Sequence, residues 1–307
     1  MLLWEIFVAF VLATVEGLTE FAPVSSTGHM ILVKNIILGY NEPKGEVFIV
    51  VVQLGSILAV TVIYWERLLS ILGLKSITKK PTQVREQIQT SQPHNEELLF
   101  QKSNTTLSRK ETHKKNNLSV IHILIGMAPA VIIGALFYDN IKAVMGSTNF
   151  VILALVVGAV LMILAEIFKP ATRTKSLDEV TYGQSLSVGL FQCLALWSGF
   201  SRSGSMMSGG LLVGMDRKIA ADFAFILGLP MMVGATTKDL YESWHMLTMN
   251  DLPFFAVGFI TAFIVSIISI KFFLALLKRF NLIPFAIYRI ILAGVIIFVA
   301  WYFNIQL

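Results

Sequence analysis

Residues 16–29 read EGLTEFAPVSSTGH and residues 192–205 read QCLALWSGFSRSGS, two polar, glycine-bearing interruptions in otherwise apolar sequence. Counted from Glu16 and Gln192, both carry serine at the tenth place (Ser25, Ser201), a hydroxyl residue at the twelfth (Thr27, Ser203) and glycine at the thirteenth (Gly28, Gly204). Only the first adds two carboxylates and a histidine, and only the second adds an arginine. The correspondence predicts a duplicated framework in which one copy carries acid, base and nucleophile candidates and the other carries an anion clamp.

The apolar runs around these interruptions set the fold class. They fall at about 2–15, 29–38, 47–65, 120–138, 150–168, 184–197, 204–215, 219–236, 252–277 and 284–303. Crossing a bilayer takes about 20 helical residues, whereas the pieces flanking the interruptions have 14, 10, 14 and 12. Each pair therefore reads as a re-entrant helix hairpin, with its polar tip buried in protein or lining a wet cavity. The expected fold is an all-α polytopic membrane protein, an inverted repeat in which each half has one re-entrant helix hairpin plus three transmembrane helices. The first repeat is 1–168, with its hairpin at 2–38, spans at 47–65, 120–138 and 150–168, and a polar loop at 66–119. The second is 184–307, with its hairpin at 184–215 and spans at 219–236, 252–277 and 284–303. Three spans per half start the second half on the opposite face, so the two tips approach each other near the midplane from opposite sides.

Composition agrees. The 307 residues are 55% apolar and 14% charged, with a mean hydropathy of +0.73, which excludes a soluble globular profile. The N-terminus lacks a basic n-region, its first charge is Glu5, and Glu16 stands where a cleavage site would be expected; it is read as part of the mature fold. The single cysteine, Cys193, excludes an intrachain disulfide and a cysteine-based metal cluster.

The net charge of +5 is no nucleic-acid footprint, because residues 66–119 hold 10 Lys/Arg against 5 Glu and the rest of the chain is neutral. Alternating the loops between two faces puts 17 Lys/Arg on one and 3 on the other. By the positive-inside rule the basic face is cytoplasmic, both termini lie outside and the first hairpin enters from the outer face. Lys271 and Arg289 lie within two turns of cytoplasmic span ends and are expected to snorkel. Glu166, three residues from Lys169, is read the same way, and Asp222 is read as favouring the helix dipole.

An ionised group at bilayer depth costs about 3 kcal/mol even on the lenient insertion scale, so Glu16, Glu20 and Arg202 must pair with one another, a ligand or water. Glu16 and Glu20 are four apart, which places both carboxylates on one helix face. Such hard oxygen ligands suit Mg²⁺ or Ca²⁺ bound jointly with substrate phosphates. Pro23 stops the first arm, and Ser25, Ser26 and Thr27 open a second helix, where a serine can cap while backbone N–H groups face an anion. His29 lies one turn on, within reach of a Ser25 or Ser26 hydroxyl. In the second tip Ser201, Arg202, Ser203 and Gly204 again open a short helix, with Gly204 permitting close backbone approach and Arg202 able to grip phosphate through two parallel hydrogen bonds. This inventory suits phosphoryl chemistry on a lipid-borne substrate.

At these residues the chain resembles the bacterial undecaprenyl-diphosphate phosphatase family of the bacitracin-resistance type. EGLTEFAPVSSTGH is similar to its glutamate-rich motif and GFSRSG to its arginine motif. The likeness continues through VVQLGSILAV, IHILIGMAPAV, GATTKDLY, AVGFITAF and IPFAIYR, leaving out only the 75–119 loop. Ser198 and Met206 depart from the family, which often has proline and threonine there. The resemblance implies removal of the terminal phosphate of undecaprenyl diphosphate, regenerating the monophosphate carrier for cell-wall synthesis at the outer face of the bacterial plasma membrane. It implies that Glu16 and Glu20 serve the divalent ion and catalysis, that Ser26 and His29 are nucleophile or acid/base candidates, and that Arg202 binds phosphate. Expected partners are the polyprenyl diphosphate lipid and the membrane, with no nucleic acid; a homodimer is compatible with the sequence. A polyprenyl-phosphate transporter or flippase is the competing reading, since broken helices in inverted repeats are also transporter architecture.

Overall fold

The structure, a computed structural model, describes residues 2–40, 42, 44–74, 117–137, 147–243 and 251–303. Most of the 66–119 loop, namely 75–116, lies outside the described residues, as do residue 1 and 304–307 at the termini. Every named element among the described residues is helical. The first arm, α1, is Leu2–Thr19. It ends at Thr19 because Pro23, four residues on, has no N–H for the Thr19 carbonyl and its ring would strike that oxygen. After a turn comes the five-residue helix α2, Ser26–Met30, continued by a π-helix at Ile31–Ile37.

The expected span 47–65 is α3, Lys44–Ile63, followed after Tyr64 by α4, Trp65–Ile71. The two are bent by 76°, and the Tyr64 hydroxyl at the bend donates to Asp222 Oδ1 at 2.6 Å. Asp222 thus has a specific partner besides the helix dipole. Then follow α5, Val120–Leu136; α6, Thr148–Phe168; α7, Tyr182–Leu194; α8, Arg202–Leu212; α9, Arg217–Ser243; α10, Leu252–Leu276; and α11, Ile283–Tyr302. Helices α6, α9, α10 and α11 are long and apolar enough to cross a bilayer, α3 and α4 together make a fifth candidate, and α5 is apolar but has 17 residues.

Large apolar side chains are exposed along these helices, among them Ile132, Phe168, Ile268, Phe272 and Phe298. A soluble protein would not leave such continuous apolar surface to water; here it faces lipid. Inside, small residues bring the helices together, as membrane packing requires. Gly189 of α7 approaches so closely that a Cβ there would overlap the Gly126 carbonyl of α5, and Ser185 donates to the His122 carbonyl between the same helices. Ser56 and Ser266 join α3 to α10 at 2.9 Å. Helix α1 packs on α10, and α7 packs on α5.

Two charges differ from the expectation of snorkelling. Arg289 is 0% exposed and donates to backbone carbonyls, because its side of α11 faces α6 and not lipid. Glu166 pairs with Lys169 as the spacing suggests, but its carboxylate also accepts two bonds from Arg217 (2.8 and 2.9 Å) and one from the Leu282 N–H (3.0 Å). It ties the end of α6 to the starts of α9 and α11.

Candidate active site

The two tips are built alike. Ser25 and Ser201 both have φ of 71°, the only non-glycine residues with positive φ among those described. Each caps the helix that follows: Ser25 Oγ accepts from Gly28 N–H at 3.3 Å, and Ser201 Oγ from Gly204 N–H at 3.2 Å. An L-residue is strained in that region, so both turns are held by what surrounds them. In the second tip Gly199, at φ +92°, supplies a further turn that a side chain would block against Val151.

The tips meet. Arg202 forms an ion pair with Glu20 Oε1, Ser26 donates to Glu20 Oε2 at 2.7 Å, and Ser203 donates to the Ala22 carbonyl at 3.1 Å. In front of this junction lies a cavity of about 290 Å³ lined by Glu16, Glu20, Ser25, Ser26, Thr27, Met30, Ile49, Gln53, Ala195, Trp197, Ser198, Gly199, Ser201 and Arg202. Of the residues singled out in the sequence, the structure gathers Glu16, Glu20, Ser25, Ser26, Thr27, Ser201 and Arg202 around one space.

It leaves three outside. Ser203 and Gly204 sit behind the second tip, where Ser203 is 5% exposed and the Gly204 N–H is occupied by Ser201. His29 is hydrogen-bonded to neither the Ser25 nor the Ser26 hydroxyl. Its Nδ1 donates to the Ser25 carbonyl at 2.7 Å, so Nε2 is the acceptor and takes a hydrogen bond from the Tyr288 hydroxyl at 2.8 Å. The reason is helical phase: at about 100° per residue, positions 26, 27 and 30 share the cavity side while 28 and 29 turn away. His29 instead lines an apolar groove of about 440 Å³ with Thr19, Val24, Leu276, Phe280, Pro284, Phe285 and Tyr288.

Sequence reading missed Gln53, whose side chain lines the cavity and whose carboxamide oxygen accepts from Thr236 at 3.0 Å. A lone amide inside the apolar run of α3 was the available signal. Trp197 was also missed; its indole N–H donates to the Phe150 carbonyl at 3.0 Å, holding one wall of the cavity.

Among the described residues no three His, Cys, Asp or Glu side chains converge on one point. Two carboxylates, Glu16 and Glu20, do line the cavity. That donor set fits Mg²⁺, which is commonly held by one or two carboxylates and completed by substrate phosphates and water, better than a closed all-protein cage.

Fold and site together define the class: a polytopic helical membrane protein with a carboxylate, hydroxyl and guanidinium site sunk between two broken helices. Residues 9–295 match the family model described as bacitracin resistance protein BacA, and the chain belongs to that family. The family is one of membrane phosphatases, which makes the chain a hydrolase.

Proposed function

We propose that the chain hydrolyses undecaprenyl diphosphate to undecaprenyl phosphate and inorganic phosphate, recycling the lipid carrier of cell-wall synthesis. The observation that carries this reading is the junction of Ser26, Glu20 and Arg202 in one cavity. A hydroxyl hydrogen-bonded to a carboxylate has its general base in place. Ser26 Oγ attacks the terminal phosphorus as its proton passes to Glu20; the Oγ–P bond forms, the bridging P–O bond breaks, and undecaprenyl phosphate leaves. Glu20 gives that proton to the departing undecaprenyl phosphate and, ionised again, takes one from water, which attacks the phosphorus; the Oγ–P bond breaks, Glu20 returns the proton to Ser26 Oγ, and inorganic phosphate leaves. Arg202 exchanges Glu20 for the phosphate oxygens on binding, so that the guanidinium fork holds the anion in line with Ser26. Glu16 and Glu20 would hold Mg²⁺ or Ca²⁺ beside the substrate, where the ion supplies charge neutralisation. His29 supports the first tip by clamping the Ser25 carbonyl.

The loop charges support an orientation with both termini outside and the cavity open to the outer face. The exchanged packing of the two hairpins, α1 on α10 and α7 on α5, supports an inverted repeat. It also favours lipid transport as a second reading, since transporters place sites between such halves. The test is phosphate release from a polyprenyl diphosphate by purified protein in detergent, with and without divalent cations. Activity lost in Glu20→Gln and Arg202→Ala is expected. Full activity in either variant would overturn the site, and inactive wild type under every metal would leave transport as the function.

A further inference from the structure

Arg289 is a charge for which the reaction outlined above has no use. Its side chain is fully buried in α11. Nη2 donates to the Gly199 carbonyl at 3.0 Å and the Ala154 carbonyl at 3.1 Å, Nη1 contacts Met162 Sδ at 3.5 Å, and Nε has no hydrogen-bond partner. All these neighbours are neutral, and among the described residues no carboxylate forms an ion pair with Arg289. Carbonyl dipoles offset part of the penalty for a cation away from water, but an unpaired buried charge remains costly. Arginine stays charged where lysine or histidine would give up a proton.

The surroundings are shaped around this cation. A Cβ at Gly158 would overlap the guanidinium, and one at Gly204 would come within 3.2 Å of Nη1. The guanidinium therefore rests against the inner side of the second tip. On the outer side of the same tip, Ser198, Gly199, Ser201 and Arg202 line the polar cavity. One side chain thus fixes the Gly199 carbonyl, and with it the turn that presents Arg202, while placing a positive charge behind the cavity in a medium of low dielectric.

We propose that Arg289 is a positioning residue for the second tip and the fixed counter-charge that makes the cavity prefer a diphosphate to a monophosphate. The proposal rests on the phosphatase reading for the identity of the occupant. A fixed charge acts on a ligand in proportion to the ligand's own charge, so its effect is larger on diphosphate than on orthophosphate. Packing alone gives no such difference.

The experiment compares wild type, Arg289→Met and Arg289→Gln for polyprenyl diphosphate turnover, for thermal stabilisation by inorganic diphosphate and by orthophosphate, and for the melting temperature without ligand. Arg289→Met is expected to weaken diphosphate about tenfold or more and orthophosphate about threefold, with KM rising more than kcat falls. Arg289→Gln, neutral but still able to donate to the Gly199 carbonyl, is expected to melt closer to wild type than Arg289→Met and to lose the diphosphate preference. Equal weakening of the two anions in Arg289→Met refutes the proposal. Should Arg289→Met fail to fold, a full diphosphate preference in folded Arg289→Gln refutes it instead. If wild type discriminates the anions through Arg289 but releases no phosphate from the lipid, the phosphatase reading fails and this one stands.

Discussion

Inside a helix alanine is better than glycine by about 1 kcal/mol, but Ser201 is an N-cap at positive φ, where glycine should be favoured on both counts. Ser201 holds φ of 71° while its hydroxyl accepts the Gly204 N–H. A left-handed backbone costs an L-residue about 1–2 kcal/mol. Replacing a capping serine costs about 1 kcal/mol for alanine and only a few tenths for glycine. Ser201→Ala keeps the strained φ and loses the cap, so it falls about 1 kcal/mol below wild type. Ser201→Gly loses the cap but sheds the strain, against about 0.5–1 kcal/mol of added chain entropy in the unfolded state. It therefore lies within about 0.5 kcal/mol of wild type, and glycine exceeds alanine by about 1 kcal/mol. Unfolding in detergent micelles, followed by helical circular dichroism, resolves such a gap. Ser25 has the same φ and the same cap, so the pair should behave alike. Alanine equal to or above glycine at both serines would refute the argument from backbone strain.

Other expectations concern separate parts of the molecule. Arg202→Lys keeps the charge but not the fork, and phosphate release should fall by about a hundredfold or more; turnover near wild type would show that one donor suffices. Glu166→Gln should lower stability by about 1–3 kcal/mol, read from the same unfolding curves, because Arg217 and Lys169 lose their shared anion while keeping partial access to solvent. Tyr288→Phe, which removes the partner of His29 Nε2, should reduce turnover less than His29→Ala, which also releases the Ser25 carbonyl; the reverse order in phosphate-release rates would place Tyr288 in the chemistry. A tag at Asn95 should be protected in intact cells and one at the C-terminus accessible from outside, and the opposite labelling would invert the orientation drawn from the loop charges.

Much of this molecule could be read before folding because segment length and polarity are one-dimensional quantities. The shortness of the arms beside 16–29 and 192–205, and the serine shared at their tenth places, marked Ser25 and Ser201 as counterparts, and the structure makes both of them caps. Facing was harder. His29 and Ser26 are three residues apart in sequence, yet the start of α2 at Ser26 turns one toward Tyr288 and the other toward Glu20. A start one residue earlier would bring both to the cavity side, and boundaries carry that uncertainty in any sequence. Arg289 was illegible for a related reason. A cation two turns from a span end looks the same whether it reaches water or is enclosed, and only the packing of α11 on α6 decides. Gln53 was visible as a polar residue in α3, but its place in the cavity depends on how α3 packs beside the tips, which sequence spacing does not encode.

The ion pair between Glu20 and Arg202 joins residues 182 positions apart. A ribosome adding about 5–20 residues per second reaches the arginine roughly 10–40 s after the glutamate. During that interval the first hairpin carries Glu16 and Glu20 with no guanidinium to receive them, and bilayer depth costs about 3 kcal/mol for each carboxylate that neither water nor a proton compensates. The nascent first half is therefore held more cheaply at the interface or inside the insertion machinery, and the ion pair favours its hairpin at depth once the second has been made. Assembly of this protein is thus timed by its own chain order, with Arg202 as the late signal that lets the early half sink into place.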